Sequence, residues 1–290
     1  MLEKLKLYAE LVRLNRPIGI YLLLWPTLWA LWFASDGIPD SKLLIIFLLG
    51  VALMRSAGCA INDYADRNID LHVARTKNRP ITSGRITAKE ALGVFFVLVF
   101  ISFLLVIQLN KSTILLSVVA VSLAASYPFM KRYHYFPQVH LGAAFAWAIP
   151  MVFSATTAAT TQNPPPLDAW LLFIAALLWT TAYDTQYGMI DREDDLKIGV
   201  KSTAILFGKY DNVINGVLQL VSLILIIWVG IINGRGIIFF GGVLVAFGFV
   251  VYQQFLTKNR EPEKCLRAFL NNNWLGMVIF IGIALDYFVQ

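Results

Sequence analysis

Long runs of apolar residues separated by short polar breaks make up most of this 290-residue sequence. A helix needs about 20 apolar residues to cross about 30 Å of hydrocarbon, and the runs are close to that length. They lie at about 17–35, 41–62, 90–109, 112–130, 137–159, 167–189, 211–233, 236–256 and 269–288. Turn-forming sequences such as SDGIPD, QNPPP and NGRG separate some of them. The pattern predicts an all-α fold, a polytopic membrane bundle of nine transmembrane helices.

The positions of Lys and Arg support this topology and give it a direction. With the N-terminus inside, only Lys42, Lys111 and Arg235 of the 24 Lys and Arg residues fall on the outer side. Positive charge concentrates in the cytoplasmic loops of membrane proteins. We therefore expect the N-terminus on the cytoplasmic side, together with the long polar loops at about 62–89 and 184–210.

Composition agrees with a membrane protein and excludes two other classes. The chain is 58% hydrophobic and 14% charged, whereas a soluble domain has about 25% charged residues. The net charge of +6 is spread over short loops, so we expect no nucleic-acid partner. Cys59 and Cys265 are too few for a disulfide framework or a zinc knuckle. We expect one membrane-embedded domain over 1–290 whose first 16 residues form an amphipathic segment without a cleavable signal.

A first group of acids follows the second apolar run, in the sequence AINDYADRNID at 60–70. If the helix continues through this stretch, Asn62, Asp66 and Asp70 lie within about 80° of one another on one face. Arg55 falls on the same face, about 10 Å deeper in the membrane. An arginine at that depth needs an anionic partner. It either pairs with the acids above it or holds a carboxylate of a substrate.

A second group of acids follows the sixth run, in YDTQYGMIDREDD. Asp184, Asp191 and Asp195 lie within about 40° of one another if that segment is helical. Carboxylates packed so closely repel one another unless a cation lies among them. Oxygen ligands without Cys or a well-placed His favour Mg²⁺ over Zn²⁺, and Mg²⁺ commonly shares carboxylates with a substrate phosphate. Two such groups facing each other could hold a diphosphate; solvated acids at helix ends are the alternative.

Basic and aromatic residues extend the hypothesis. Lys131 follows the helix-breaking Pro128 and is placed to neutralise a phosphate, whereas basic loop residues by default reflect topology and attraction to anionic lipid. Several aromatic residues either line a groove for a long hydrocarbon or pack between helices: Trp25, Trp29, Trp32, Phe145, Trp147 and Trp179.

Three short motifs resemble those of the UbiA-type membrane prenyltransferases. NDYADRNID is similar to the family's NDxxDxxxD motif, DREDD to its second DxxxD motif, and YPFMK to its YxxxK element. Longer strings, LLLWPTLWALW, NRPITSG and GVKSTAILFG, resemble the bacterial 4-hydroxybenzoate polyprenyltransferase branch. The likeness runs over nearly the whole chain.

The resemblance implies a nine-helix bundle in a bacterial inner membrane that transfers a polyprenyl group from polyprenyl diphosphate to 4-hydroxybenzoate, ortho to its hydroxyl, in ubiquinone biosynthesis. It implies that Mg²⁺ is bound by Asn62, Asp66, Asp70, Asp191 and Asp195. The implied contacts to diphosphate come from Tyr127, Lys131 and Arg79, and Arg55 would face the substrate carboxylate. The catalytic set would be Asp66, Asp70, Asp191 and Asp195, together with Asp184 as a base or as the group that orients the phenol.

Three alternatives remain open. The acceptor is another aromatic carboxylate, a quinone precursor or a porphyrin; the chain is a membrane cation transporter; or it is a lipid phosphatase, as NRPITSG suggests. Transporters more often place their acids near the midplane of the bilayer in broken helices. A phosphatase of that kind requires a histidine nucleophile, and His72, His134 and His140 have no matching context. Prenyl chain length, binding order and oligomeric state are left open by the sequence.

Overall fold

The regular secondary structure of this protein is helical. The structure is a computed structural model that describes residues 2–73, 75–156 and 164–290, and no β-strand occurs in these ranges. The helices are α1 (Leu2–Leu11), α2 (Ile18–Ala34), α3 (Ser41–Asp66), α4 (Ala88–Val106), α5 (Lys111–Met130), α6 (Pro137–Ala146), α7 (Ala148–Thr156), α8 (Leu167–Gly188), α9 (Arg192–Ile198), α10 (Thr203–Phe207), α11 (Asp211–Ile232), α12 (Ile237–Thr257) and α13 (Pro262–Val289). Short 3₁₀ turns span Asp70–His72 and Gly208–Tyr210. The predicted all-α class is confirmed.

Membrane-spanning segments account for most of these helices. Within the described residues, eight helical segments are long and apolar enough to cross a bilayer, and α2 is a shorter apolar helix of 17 residues. Two of the eight combine neighbouring helices, α6 with α7 and α10 with α11. Together with α2 they follow the nine predicted spans in order along the chain. The protein is an integral membrane protein.

Two predicted spans differ from the observed helices. The span predicted at 137–159 is divided at Trp147, and its residues 157–159 lie outside the described ranges. Pro150, in the first turn of α7, has no N–H to donate to the carbonyl of Ala146 four residues earlier, which favours a break there. The span predicted at 269–288 begins earlier, because Pro262 takes the first position of a 28-residue helix.

Side-chain caps define where α3, α4 and α5 begin. The Asp40 carboxylate accepts from the N–H of Lys42 at 2.9 Å. Thr87 and Glu90 form a reciprocal capping box at the start of α4. Asn110 accepts from the N–H of Thr113 at 2.9 Å. This last cap shows that a new helix begins at Lys111, since it satisfies a backbone donor of the first turn that would otherwise be unpaired.

The N-terminal helix packs on the bundle. Leu11, at the end of α1, is buried in a cluster with Ala57 and Ala60 of α3 and Phe95 of α4. Lys4 pairs with Glu90 at 2.7 Å, an exposed contact of small energetic value. Leu7, Tyr8 and Leu11 of this segment therefore contact protein, whereas Leu5 is 57% exposed.

Large aromatic side chains fill the centre of the bundle. The rings of Trp29 and Trp179 lie 5.2 Å apart, and the Trp29 indole donates to the carbonyl oxygen of Gly276 at 3.1 Å. Of the six aromatic residues predicted to line a groove or to pack, only Phe145 lines the main cavity. The tryptophans pack between helices because a buried indole needs both apolar contact and an acceptor for its N–H.

Buried amides join the C-terminal helices. Asn272 of α13 accepts from the Trp179 indole at 2.8 Å and donates to the Gln186 side chain of α8 at 3.1 Å. Gln219 of α11 donates to the Gln253 side chain of α12 at 2.6 Å. Paired polar side chains of this kind link helices where the surrounding hydrocarbon offers no partner.

We predict that Gly276→Ala destabilises the protein by about 1–3 kcal/mol, because the added Cβ overpacks the core. That Cβ would lie 2.6 Å from Trp25 Cδ1 and 2.7 Å from Trp179 Cη2. Thermal melting in detergent measures the effect. Gly248→Ala is the matched control: no atom lies within 4 Å of its Cβ, so the helix propensity of Ala should stabilise it slightly. Equal melting temperatures for both variants would contradict the prediction.

Candidate active site

One large cavity collects the predicted site residues. It has a volume of about 970 Å³ and lies between α2, α3, α4, α5, α6 and α8 and the loops at one end of the bundle. Its walls include every residue predicted from the sequence: Arg55, Asn62, Asp66, Asp70, Arg79, Tyr127, Lys131, Asp184, Asp191 and Asp195. The tertiary structure therefore brings together groups that are more than 130 positions apart in the chain.

The first acidic group lies where α3 ends. Asn62 is in the last turn of the helix and Asp66 is its final residue. The condition of a helix continuing through Asp70 is not met, because the chain turns after Asp66 and Asp70 begins a 3₁₀ turn. The Ile69 N–H donates to the Asp66 carbonyl oxygen at 2.8 Å, and the Thr76 hydroxyl donates to the Asp70 carbonyl oxygen at 3.1 Å. This turn still returns Asp70 to the same cavity.

The second acidic group also spans a helix break. Asp184 lies in the last turns of α8, which ends at Gly188. Asp191 precedes α9, and Asp195 lies within it. The condition of a single helix from Asp184 to Asp195 is therefore not met, and α8 ends within one residue of the predicted span 167–189. The break turns Asp191 and Asp195 towards the cavity end from a separate short helix.

Basic side chains from other elements neutralise three of the motif acids, Asp66, Asp70 and Asp191. Lys131 Nζ lies 2.7 Å from Asp66 Oδ2, and Arg79 Nη1 lies 2.7 Å from Asp70 Oδ2. Arg75 makes a two-pronged contact with Asp191, with Nε 3.1 Å from Oδ1. The two carboxylates of α3 and its following turn are almost fully buried, so their ion pairs compensate a large desolvation cost.

Two of these acids have raised pKa values. Burial raises the pKa of Asp70 above its ordinary value, although Arg79 opposes the shift. Burial and the neighbouring Asp191 carboxylate raise the pKa of Asp195 to about 6. Both shifts indicate that the acids are held together at a cost, which is typical of a functional site.

The donor set fits a hard divalent ion. The Asp66 Oδ1 atom is buried and has no hydrogen-bond partner in the part of the chain that the structure describes. The candidate ligands are carboxylate and amide oxygens, which Mg²⁺ prefers. No three acidic, His or Cys side chains of the described ranges form a ready-made cluster. Mg²⁺ usually takes one or two protein carboxylates and completes its shell with water and phosphate.

Arg55 and Asp184 differ from the paired charges around them. Both face the cavity, and neither makes an ion pair or side-chain hydrogen bond with any residue that the structure describes. Of the two sequence alternatives for Arg55, pairing with the acids above it is therefore not observed. Gly19 gives the guanidinium room, since a Cβ there would lie 2.1 Å from Arg55 Nε.

Sequence reasoning missed Arg13 and Tyr187. Arg13 has a left-handed backbone (φ 58°), lines the cavity and pairs with Asp63 at 2.7 Å. The Tyr187 hydroxyl accepts from Arg75, and its ring packs on Phe269 with centroids 4.7 Å apart. The only available signals were a basic residue before the first apolar run and a Tyr one helical turn after Asp184.

Away from the charged end, the cavity wall is mostly apolar. Val99, Phe103 and Val106 of α4 contribute to it, as do Val118 and Val121 of α5. The membrane-spanning windows of α4 and α5 are only 17% and 11% buried within the protein. The cavity therefore runs from a charged end to an apolar wall formed by helices that largely face lipid.

Comparisons with known proteins agree on one family. A model described as "UbiA prenyltransferase family" matches residues 23–278. A 4-hydroxybenzoate octaprenyltransferase of Alkalilimnicola ehrlichii is 58% identical over 279 residues, covering 96% of this chain and 94% of the relative. The apo structure of a UbiA homolog from Aeropyrum pernix K1 superposes with a TM-score of 0.80 at 25% identity, covering 92% of this chain and 97% of that one. A UbiA homolog from Archaeoglobus fulgidus, bound to GPP and Mg²⁺, shares the fold, with a TM-score of 0.68 at 18% identity over 96% of this chain and 99% of that one.

We predict that Asp195→Asn stabilises the metal-free protein near neutral pH and not in acid. The folded protein holds the pKa of Asp195 at about 6, whereas the unfolded chain titrates near 3.8. Between these values the folded state keeps a proton that the unfolded state has lost, so stability falls as pH rises through the window. Melting temperatures in EDTA should show a gain of a few degrees at about pH 7.5 that vanishes by about pH 3.5.

Asp194→Asn is the matched control for this measurement. Asp194 lies on the same short helix but pairs with Lys197 at 3.3 Å on the exposed side. We expect no comparable gain there, since surface pairs of this kind contribute little. An equal gain in both variants would contradict the assignment to Asp195.

Proposed function

The chain belongs to the UbiA prenyltransferase family, and on that basis we propose that it transfers a polyprenyl group from polyprenyl diphosphate to 4-hydroxybenzoate. The bond forms at the ring carbon ortho to the hydroxyl, as a step of ubiquinone biosynthesis. The observation that carries the proposal is the division of one cavity into a charged end, which combines motif acids with basic side chains, and a long apolar wall. A diphosphate with a hydrocarbon tail matches both parts.

The diphosphate binds at the charged end. Lys131 and Arg79 supply positive charge beside Asp66 and Asp70, and Tyr127 lines the wall next to them. When bound, Mg²⁺ held by Asn62, Asp66, Asp70, Asp191 and Asp195 stabilises negative charge on the departing diphosphate. The UbiA homolog from Archaeoglobus fulgidus with bound Mg²⁺ supports this metal for the family fold.

Ionisation of the allylic C–O bond sends its electron pair to the diphosphate. Lys131, Arg79 and Arg75 line the charged end, to which the proposal assigns that developing charge. Fixed cations in a site with little water stabilise such charge most effectively. The apolar wall keeps water away from the allylic cation. These groups therefore favour transfer to the aromatic ring over hydrolysis.

The acceptor carboxylate pairs with Arg55. This arginine has no anionic partner among the described residues, although an arginine inside a membrane protein is costly without one. The 4-hydroxybenzoate carboxylate supplies the missing charge and orients the ring in the cavity. This contact distinguishes a carboxylate acceptor from a neutral quinone precursor.

The ring attacks the allylic cation and forms the new C–C bond, and a base then takes the proton from the attacked carbon. Asp184 faces the same cavity and has no ion-pair partner among the described residues, so its carboxylate is available as that base. It belongs to α8, which α9 follows with Asp191 and Asp195. The proton and the diphosphate are thus handled by neighbouring parts of one polypeptide segment.

The site faces the cytoplasm of a bacterial inner membrane in this proposal. Lys42, Lys111 and Arg235 lie at or beside the helix ends away from the cavity acids: Lys42 near the start of α3, Lys111 at the start of α5 and Arg235 after α11. The sequence predicts the other Lys and Arg residues on the cytoplasmic side, because positive charge concentrates in cytoplasmic loops.

We predict Mg²⁺-dependent transfer of a labelled prenyl group to 4-hydroxybenzoate by the purified protein. Asp66→Asn and Asp191→Asn should lower turnover at least about 100-fold, because they remove carboxylates proposed to hold the Mg²⁺ that neutralises the diphosphate. Asp184→Asn should lower turnover while leaving prenyl diphosphate binding intact. Product formation is followed by chromatography with and without EDTA.

The outcomes of this assay are distinct. Cleavage of prenyl diphosphate without labelled 4-hydroxybenzoate would retain the family reaction and reject the acceptor. Normal turnover by Asp184→Asn would reject its role as the base. Absence of any cleavage by folded protein would reject the proposed function.

We predict that Arg55→Gln lowers kcat/KM for 4-hydroxybenzoate about 10–100-fold. Loss of a charged hydrogen bond costs about 1.5–3 kcal/mol, and each 1.4 kcal/mol corresponds to a factor of ten. The neutral acceptor 4-hydroxybenzamide is the control, since it should react equally with wild type and variant. An equal loss with both acceptors would show that Arg55 does not recognise the carboxylate.

A further inference from the structure

The short helix α9 and the residue before it carry two motif acids, but α9 has no buried residue of its own. Asp191 precedes it and Asp195 lies within it, and all seven residues of the helix are partly or fully exposed. A helix of this length is not stable in isolation. Contacts from other elements must therefore hold these two acids at the cavity.

Arg192, the first residue of α9, reaches back into the bundle. Its Nη2 donates to the carbonyl oxygen of Ala204 and to the carboxylate of Asp211. Asp211 is the first residue of α11 and is 0% exposed. The residue next to Asp191 is thus tied to the start of a long membrane-spanning helix.

The same carboxylate binds a second arginine. Arg260, between α12 and α13, has its Nε at 2.9 Å and 3.1 Å from the two Asp211 oxygens. Its Nη2 donates to the Lys209 carbonyl oxygen at 2.7 Å. One buried charge therefore joins α9, α11 and the α12–α13 connection. We call this group of Arg192, Asp211 and Arg260 the Asp211 clamp.

Other ion pairs of α9 are of a different kind. Arg75 contacts Asp191 itself, so it occupies the acid that the proposed diphosphate site uses. Lys197 pairs with Asp194 inside the helix and on its exposed side. Neither pair ties α9 to the membrane-spanning core, whereas Asp211 does.

We propose that Asp211 is a positioning residue, which acts through Arg192 to hold Asp191 and Asp195 at the charged end of the cavity. The inference rests on the proposed function for its kinetic consequence and on the geometry alone for its structural one. Removing the charge leaves two arginines facing a neutral group, which releases α9 from the core.

The test compares Asp211→Asn with Asp286→Asn. Asp286 is a matched control because it is also buried, accepts from the N–H of Gly236 at 2.8 Å and lies 3.8 Å from Arg235, but at the other end of α12 and α13. Both substitutions remove one buried carboxylate charge beside an arginine. Only the first removes it beside the second aspartate motif.

For Asp211→Asn we expect KM for the prenyl diphosphate to rise about tenfold or more, with KM for 4-hydroxybenzoate unchanged. Asp286→Asn should change neither constant, even where its melting temperature falls as much. Asp211→Glu, which keeps the charge, should restore part of the loss. Arg192→Gln should raise the same KM, because it frees α9 while leaving the Asp211–Arg260 pair in place.

A nitroxide attached at Glu193→Cys reports on α9 without any reaction. Glu193 is exposed, and the native Cys59 and Cys265 are buried, so the label goes to position 193. We expect a more mobile spectrum in Asp211→Asn and Arg192→Gln and an unchanged one in Asp286→Asn. An unchanged spectrum in the first two, or equal kinetic effects of Asp211→Asn and Asp286→Asn, would overturn the positioning role. If the wild type transferred no prenyl group, the proposed function would fail and the spectra would still decide the clamp.

Discussion

Neutralisation of buried carboxylates at one end of the bundle is the constraint on which the rest of the structure depends. Asp66 and Asp70 are almost fully buried, and each is matched by a Lys or Arg from another segment of the chain. A buried carboxylate without such a partner would lose several kcal/mol of solvation. The loops between membrane-spanning helices therefore fold over the cavity, because the cations that the acids need lie in those loops.

The same constraint explains where helices end. A continuous helix from Asn62 to Asp70 would keep the acids on one face but would leave the loop cations out of reach. The observed chain stops α3 at Asp66 and α8 at Gly188, and each following turn places a further acid beside a basic residue. The apolar part of the cavity contains no acids that need basic partners, so α4 and α5 run past it as regular helices.

Charged side chains without an ion-pair partner differ in function from those that are paired. Arg55 and Asp184 face the cavity without an ion-pair partner among the described residues, unlike Asp66, Asp70 and Asp191, and the proposal assigns them to an aromatic acid and to its departing proton. Asp211 shows the opposite arrangement, because it has two arginine partners and no exposed surface. One kind of charge faces the substrate space, and the other holds the polypeptide that surrounds it.

Several features were determined by the sequence itself. Runs of about 20 apolar residues specify membrane-spanning helices because backbone polar groups in hydrocarbon must pair within the segment. The acids and Lys131 were identified from local motifs, and all of them line the cavity. The tertiary structure alone decided how the turns after Asp66 and Gly188 return Asp70 and Asp191 to one cavity, how the tryptophans pack, and that Arg13 and Tyr187 line the cavity. Those features depend on which distant charge or ring meets each side chain, and periodicity along one helix carries no information about partners more than 100 residues away.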